Sequence, residues 1–168
     1  QHVGAWGLTE PTAGSDAARI RVAAARDGDG WVINGTKTFI THGRIGEVMV
    51  VMAVTDKSRA HRGISAFIVE RGNPGMAAGR KEDKLGMRAS DTSEVIFRDC
   101  RVGAEAMLGK ENEGFIDTLQ VLDAGRIGIA ALAVGLAQGA YETARRYALE
   151  RTQFGQPIAA FQAIQWKL

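Results

Sequence analysis

Asp27-Gly28-Asp29-Gly30-Trp31-Val32-Ile33-Asn34-Gly35 decides the fold class, because it places a tight-turn signal on each side of an apolar run. Aspartate, asparagine and glycine tolerate the positive φ of primed hairpin turns. Asp27 to Gly30 therefore reads as a hairpin between the alternating Arg19-Ile20-Arg21-Val22 run and Trp31-Val32-Ile33. Asn34-Gly35 reads as a second turn, leading into Thr36 to Thr41. Further out, Val48 to Val54 is a near-continuous apolar strand and Ile64 to Glu70 is another, closed by Arg71-Gly72-Asn73-Pro74-Gly75. Ser93 to Phe97 completes the series. Strands at this spacing, with no amphipathic helix between them, predict an antiparallel β-barrel or orthogonal β-sheet rather than a parallel sheet.

The pattern changes at Gly109-Lys110-Glu111-Asn112-Glu113-Gly114, a polar stretch that sets a boundary between a β domain over 1–108 and a helical domain over 109–168. Beyond it, Phe115, Ile116, Leu119, Leu122, Arg126, Ile129, Ala133, Leu136, Ala140, Ala144 and Tyr147 fall on helical spacing for about nine turns. The class is thus α+β. Ala130, Ala131, Ala133, Gly135, Ala137 and Gly139 make this helix narrow, suited to close crossings in an incomplete helical bundle. Its uncharged part, Ile127 to Tyr141, is shorter than the roughly 20 apolar residues of a bilayer span and reads as a buried helix. Phe161 to Leu168 reads as the opening of a further helix. With Gln1-His2 lacking an initiator methionine, the sequence reads as a fragment.

Composition removes several classes of function. The 168 residues are enough for one domain with a buried core, or for one small domain and part of another. Lys and Arg total 21 against 19 acids and are scattered rather than clustered, which argues against nucleic acid as a partner. The single cysteine, Cys100, has no partner for an internal disulfide or a zinc site, and a reducing cytosol or organelle matrix is compatible with it. No secretory signal is expected ahead of Gly4. There is no G-x-G-x-x-G after a strand, no Walker loop and no His-Glu-x-x-His, and His2, His42 and His61 lie in no nucleophile context.

The densest polar constellation is Leu8-Thr9-Glu10-Pro11-Thr12-Ala13-Gly14-Ser15-Asp16. Its proline stiffens the turn and its glycine lets backbone amides converge, so the loop can present N–H groups and hydroxyls to a phosphate or a heterocycle edge. An ordinary polar loop, with Ser15 or Asp16 making local turn bonds, fits these residues equally well. Glu10 and Asp16, its only acids, read as supports of loop geometry.

Taken with other segments, this loop resembles part of a known family. Thr9 to Asp16, then Phe39-Ile40-Thr41, then Lys84-Leu85-Gly86-Met87-Arg88 with Ser90-Asp91-Thr92, is similar to the middle domain of acyl-CoA dehydrogenases. Leu122-Asp123-Ala124-Gly125-Arg126, Glu150-Arg151-Thr152-Gln153-Phe154-Gly155 and Phe161-Gln162 resemble the start of the family's C-terminal helical domain. The motifs occur in the family's order along the whole chain.

The resemblance implies FAD as cofactor and an acyl-CoA thioester as substrate. It implies that the segment Trp6 to Ser15, through Trp6, Leu8, Thr9, Glu10, Gly14 and Ser15, holds the pyrimidine edge and pyrophosphate of FAD, with Ser15 also meeting the pantetheine arm. Phe39, Ile40 and Thr41 are expected against the isoalloxazine. Phe39 stands where many relatives carry tryptophan, so an aromatic wall remains without the indole donor; alternatively Phe39 is strand core and Thr41 a solvent-facing strand residue. Asp123 and Arg126 are expected beside the CoA tunnel, or as a plain surface ion pair. Arg151, Thr152, Gln153, Phe154, Phe161 and Gln162 are expected at the FAD of a neighbouring subunit, although a cation such as Arg151 also suits a helix C-terminus by itself. Lys84 to Asp91 is expected to be a turn packing the barrel.

The resemblance further implies α-proton abstraction by a glutamate, hydride transfer to flavin N5, a polarised thioester carbonyl and an electron-transferring flavoprotein as acceptor. The family places that glutamate either just before the arginine matching Arg126, where this sequence has Gly125, or far toward the C-terminus. No residue of the chain is therefore expected as the catalytic base, and the chain alone is expected to be inactive. A homotetramer, in the cytoplasm of a bacterium or the mitochondrial matrix, completes the picture. An acyl-CoA oxidase or flavin monooxygenase relative, and a non-enzymatic β-barrel binding module, are the competing readings.

Overall fold

A computed structural model describes residues 2–168. The chain divides into two compact units, one running to Leu119 and the other from Gln120 to Leu168.

In the first unit, β1 (Gly4–Gly7), β2 (Ala23–Asp27), β3 (Gly30–Thr41), β4 (Val48–Val54), β5 (Ile64–Glu70), β6 (Met76–Lys81), β7 (Thr92–Val102) and β8 (Met107–Leu108) form one sheet. Their order is β6-β7-β3-β2-β4-β5-β8, with β1 beside β4. The α+β class holds, but the expected barrel does not form. Among the described residues β6 pairs with β7 alone and the two-residue β8 with β5 alone, so the end strands do not meet. Nor is the sheet wholly antiparallel: β1 runs parallel to β4, and Ala23 of β2 makes one parallel bridge to Val54.

The β2–β3 hairpin forms where expected, with Asp27 opposite Gly30 and Gly28 at a φ of 62°. Asn34-Gly35 is not a turn. β3 runs straight through it, and the register against β7 slips there between Ile33 and Gly35. The positive φ of Gly35, 136°, serves a β-bulge instead. Asn34 spans to β7, its Oδ1 accepting the Asp99 N–H at 2.8 Å. The Arg19 to Val22 run is not a strand either. It holds the end of a 3-10 turn and an extended lead into β2.

β4 is apolar throughout because both of its faces are covered. Met49, Val51 and Ala53 face one core, with Trp31, Ile33, Phe67, Val69, Val95 and Phe97. Met52, with Val50 and Val54, faces a second formed by Ala13, Ile20, Ile64, Ala66, Trp6, Leu8 and Phe115. Trp31 and Phe67 meet edge to face, with ring centroids 5.4 Å apart. The second core lies under the Leu8 to Asp16 loop and anchors it.

Helix α1 (Gly114–Glu150) has the expected length. Its start is fixed within the first unit: the Asn112 N–H donates to Ser65 Oγ, and Thr55 Oγ1 donates to Asn112 Oδ1. In the second unit Ile127, Ile129, Leu132, Val134 and Leu136 are exposed, and among that unit's described residues no element covers this stretch of helix. By length and composition alone α1 is sufficient to cross a membrane. After it come β9 (Thr152–Gln153), β10 (Gln156–Pro157) and the short α2 (Gln162–Gln165).

Candidate functional site

The loop after β1 is built on a pair of backbone bonds. Glu10 N–H donates to the Ala13 carbonyl at 2.9 Å and Ala13 N–H returns to the Glu10 carbonyl at 3.1 Å, putting Pro11-Thr12 at the tip. Ala13 points into the second core, while Gly14, Ser15 and Asp16 are exposed. A Cβ at Gly14 would meet nothing within 4 Å, so that part of the loop is open to a ligand. Asp16 lies 3.4 Å from Arg19 in an exposed pair.

Glu10 is buried, and its carboxylate ties three segments together. Oε2 accepts the Arg21 N–H at 2.6 Å, while Oε1 accepts the Val22 N–H at 2.9 Å and Lys37 Nζ at 2.8 Å. Lys37 is fully buried on β3 and donates also to the Leu8 carbonyl at 3.0 Å. Desolvation pulls its ammonium down to about 8, against the opposing attraction of Glu10.

One residue further along β3, Thr38 N–H donates to the Thr9 carbonyl at 2.8 Å. The loop and the strand expected to flank a flavin are therefore adjacent. Between Lys37 and Ile40 the register against β7 slips again, and Phe39 takes a φ of 55° and is 64% exposed. A bulky residue at positive φ is strained, and such strain concentrates at functional sites. Neither plain strand core nor an even strand accounts for an exposed ring held that way. Ile40 is buried in the first core; Thr41 is exposed opposite Thr92. The Thr38 hydroxyl is buried without a partner.

Trp6, Leu8 and Thr9 are half-buried beneath the loop. Lys84 to Asp91 does not pack against the sheet as expected: Leu85 and Met87 are exposed, and the segment is held by polar bonds instead. Lys84 Nζ donates to the Ser90 carbonyl and to Thr92 Oγ1, both at 2.8 Å. Asp91 accepts the His42 N–H on its carbonyl and the Arg44 N–H on its carboxylate, which fastens the chain leaving Thr41.

In the second unit, Asp123 and Arg126 form an exposed i,i+3 pair at 3.7 Å. Arg151 closes α1, its N–H donating to the Tyr147 carbonyl. Thr152 and Gln153 pair with Pro157 and Gln156, and the two-residue loop Phe154-Gly155 has positive φ at both positions, 52° and 77°. Phe154 is 93% exposed, 6.1 Å from the half-buried Phe161 ring; Gln162 is exposed.

Lys37 was missed at the level of sequence. Its parity along Trp31, Ile33 and Gly35 was the available signal, since a lysine on the inward face of a strand must find an acid.

Residues 5–100 match the family profile for the acyl-CoA dehydrogenase middle domain, and residues 112–168 match that for the acyl-CoA dehydrogenase C-terminal domain. The chain belongs to the acyl-CoA dehydrogenase family. Among its relatives is the short-chain specific acyl-CoA dehydrogenase of Clostridium acetobutylicum, 48% identical over 100% of this chain and 44% of that protein. Butyryl-CoA dehydrogenase from Megasphaera elsdenii superposes with a TM-score of 0.94 at 47% identity, over 99% of this chain and 44% of the other. A structure described as the electron transferring flavoprotein of Acidaminococcus fermentans contains a chain with a TM-score of 0.94 and 52% identity, over 98% of this chain and 43% of that one. The chain thus spans less than half the length of each of these proteins. Membership of the family implies FAD as cofactor.

Proposed function

We propose that this chain contributes the flavin-binding middle domain (1–108) and the opening of the helical domain (109–168) to an enzyme that dehydrogenates a short-chain acyl-CoA between its α and β carbons. The observation that carries this reading is the bond from Thr38 to Thr9, which sets the loop beside the exposed Phe39 bulge. The donor set also suits a flavin. Open hydroxyls and amides at Thr9, Gly14, Ser15 and Thr41, with one aromatic face, match a planar heterocycle carrying a pyrophosphate.

When bound, FAD supplies the acceptor for the hydride that leaves the β carbon. Trp6, Leu8, Thr9, Glu10, Gly14 and Ser15 hold its pyrimidine edge and pyrophosphate, Glu10 through the loop backbone. Phe39 forms the wall, Ile40 backs it from the core and contributes only backbone, and Thr41 offers a hydroxyl at the reacting edge. Arg151, Thr152, Gln153, Phe154, Phe161 and Gln162 take the FAD adenosine pyrophosphate of a neighbouring copy. Ser15, Asp123 and Arg126 meet the substrate.

No residue of this chain serves as the α-proton base. Glu10 is committed to Lys37 and two backbone N–H groups, Asp16 and Asp123 are exposed and paired with arginines, and the position before Arg126 is Gly125. An electron-transferring flavoprotein as acceptor, a homotetramer and a cytoplasmic or mitochondrial-matrix setting belong to the same proposal. The buried Cys100 suits a reducing compartment, its thiol pushed up to about 11 by desolvation and so unreactive.

The test is expression at full natural length, with flavin absorbance and ferricenium-linked butyryl-CoA oxidation as readouts. A yellow protein that oxidises butyryl-CoA is expected. A protein that stays colourless after incubation with FAD overturns the reading, and rapid reoxidation of the reduced flavin by oxygen assigns an oxidase instead.

A further inference from the structure

We propose that Lys37, acting through Glu10 and the Leu8 carbonyl, is a positioning residue that sets the register between the two segments lining the flavin site, Thr9–Asp16 and Phe39–Thr41. The inference rests on the flavin reading of those segments.

Lys37 is the point where both segments are pinned. Its ammonium bridges the Leu8 carbonyl and the Glu10 carboxylate on the loop, at 3.0 and 2.8 Å, while its own backbone is the last in register with β7 before the Phe39 bulge. The next residue, Thr38, adds the backbone bond to Thr9. Moving Lys37 along the strand therefore moves the loop and the bulge together. A one-residue slip in a strand sends every side chain to the opposite face, which would turn Phe39 inward.

Stability alone does not explain the arrangement. Charges taken out of water recover little more than their desolvation cost, and an apolar pair of similar volume serves a core at least as well. Direction is what an ion pair adds. Glu10 is fixed by two backbone N–H groups preceding β2, so only one placement of the Lys37 ammonium satisfies both its acceptors. Sites that bind or act on a ligand depend on such supporting contacts, and a loose shell loses function before it loses fold. Neither side chain of the pair reaches a ligand, since Lys37 is fully buried and Glu10 is 5% exposed.

The experiment uses the protein at its full natural length, loaded with FAD. Lys37→Met keeps the aliphatic stem and removes the ammonium; Glu10→Gln keeps the side-chain length and removes the carboxylate charge. For each, cooperative thermal unfolding establishes folding, after which FAD affinity, the position of the flavin visible band and flavin fluorescence are measured. The expected result is FAD binding weakened by about tenfold or more, with a shifted visible band and reduced quenching, in a variant that still unfolds cooperatively. If Lys37→Met does not fold, Glu10→Gln decides the same question. A folded variant whose FAD affinity and flavin spectrum match those of the wild type overturns the proposal, whatever its melting temperature. A wild type that binds no FAD overturns the flavin reading itself, which separates the two failures.

Discussion

The backbone N–H of Thr38 donates to the carbonyl of Thr9 across 2.8 Å, joining a loop near the start of the chain to the middle of the longest strand. Because that bond fixes the backbone, the Phe39 ring beside it is free of any structural duty in the sheet. Phe39→Ala removes an exposed ring, so unfolding free energy should change by no more than about 0.5 kcal/mol. The loss of an aromatic wall should weaken FAD by about 1 kcal/mol, roughly fivefold in Kd. Denaturant unfolding of the flavin-free protein and fluorescence titration with FAD separate the two effects.

Gly35 has both a φ of 136° and a close neighbour, since a Cβ there would stand 2.7 Å from Val22 Cγ2. Val22 also gives its N–H to Glu10, so displacing it disturbs the loop. Gly35→Ala should destabilise the protein by about 1–3 kcal/mol through overpacking and backbone strain. The drop in denaturant midpoint should come with weaker FAD binding, because the same movement reaches Glu10.

Where local chemistry decided the structure, it was readable in the sequence. Gly28 made the first hairpin, and β4 and β5 were visible from Val48 to Val54 and Ile64 to Glu70 because two cores flank them. Long-range pairing decided the rest. Asn34-Gly35 has hairpin chemistry, yet the Asn34 side-chain bond to Asp99 and the pairing of Gly35 with Phe97 on β7 carry β3 straight on and turn the same glycine into a bulge. Closure of the sheet depended on end strands that never meet, and β1 becomes a strand only because β4 pairs with Gly4 to Gly7. The candidate flavin segments were legible as motifs. The Lys37–Glu10 contact joining them was not: strand parity turns Lys37 inward, but nothing local names the distant Glu10 as its partner.

Phe154 sits at a φ of 52° in a two-residue hairpin loop, a position that asparagine or glycine fills more cheaply. Its ring is almost wholly exposed, so little packing opposes a replacement. Phe154→Asn should therefore leave stability unchanged or raise it by up to about 1 kcal/mol, while lowering FAD affinity if the ring meets the cofactor of a neighbouring copy. Melting temperature and FAD titration moving in opposite directions would mark Phe154 as retained for binding; a fall in both would mark it as structural.

The buried Lys37 ammonium predicts a pH dependence whose sign is fixed by linkage. Its folded pKa, about 8, lies below the ordinary lysine value of 10.5, so between those limits the unfolded chain holds more protons than the folded one. Stability from this group therefore rises as pH rises through that window, and the cost of its buried charge is fully present below pH 8. Lys37→Met has no such group to titrate. Denaturant midpoints of the wild type and Lys37→Met, compared at pH 7.5 and pH 10, should shift in favour of the wild type at the higher pH. A constant difference between the two proteins would mean that Lys37 keeps an ordinary pKa despite its burial, with the attraction of Glu10 offsetting the whole cost of desolvation.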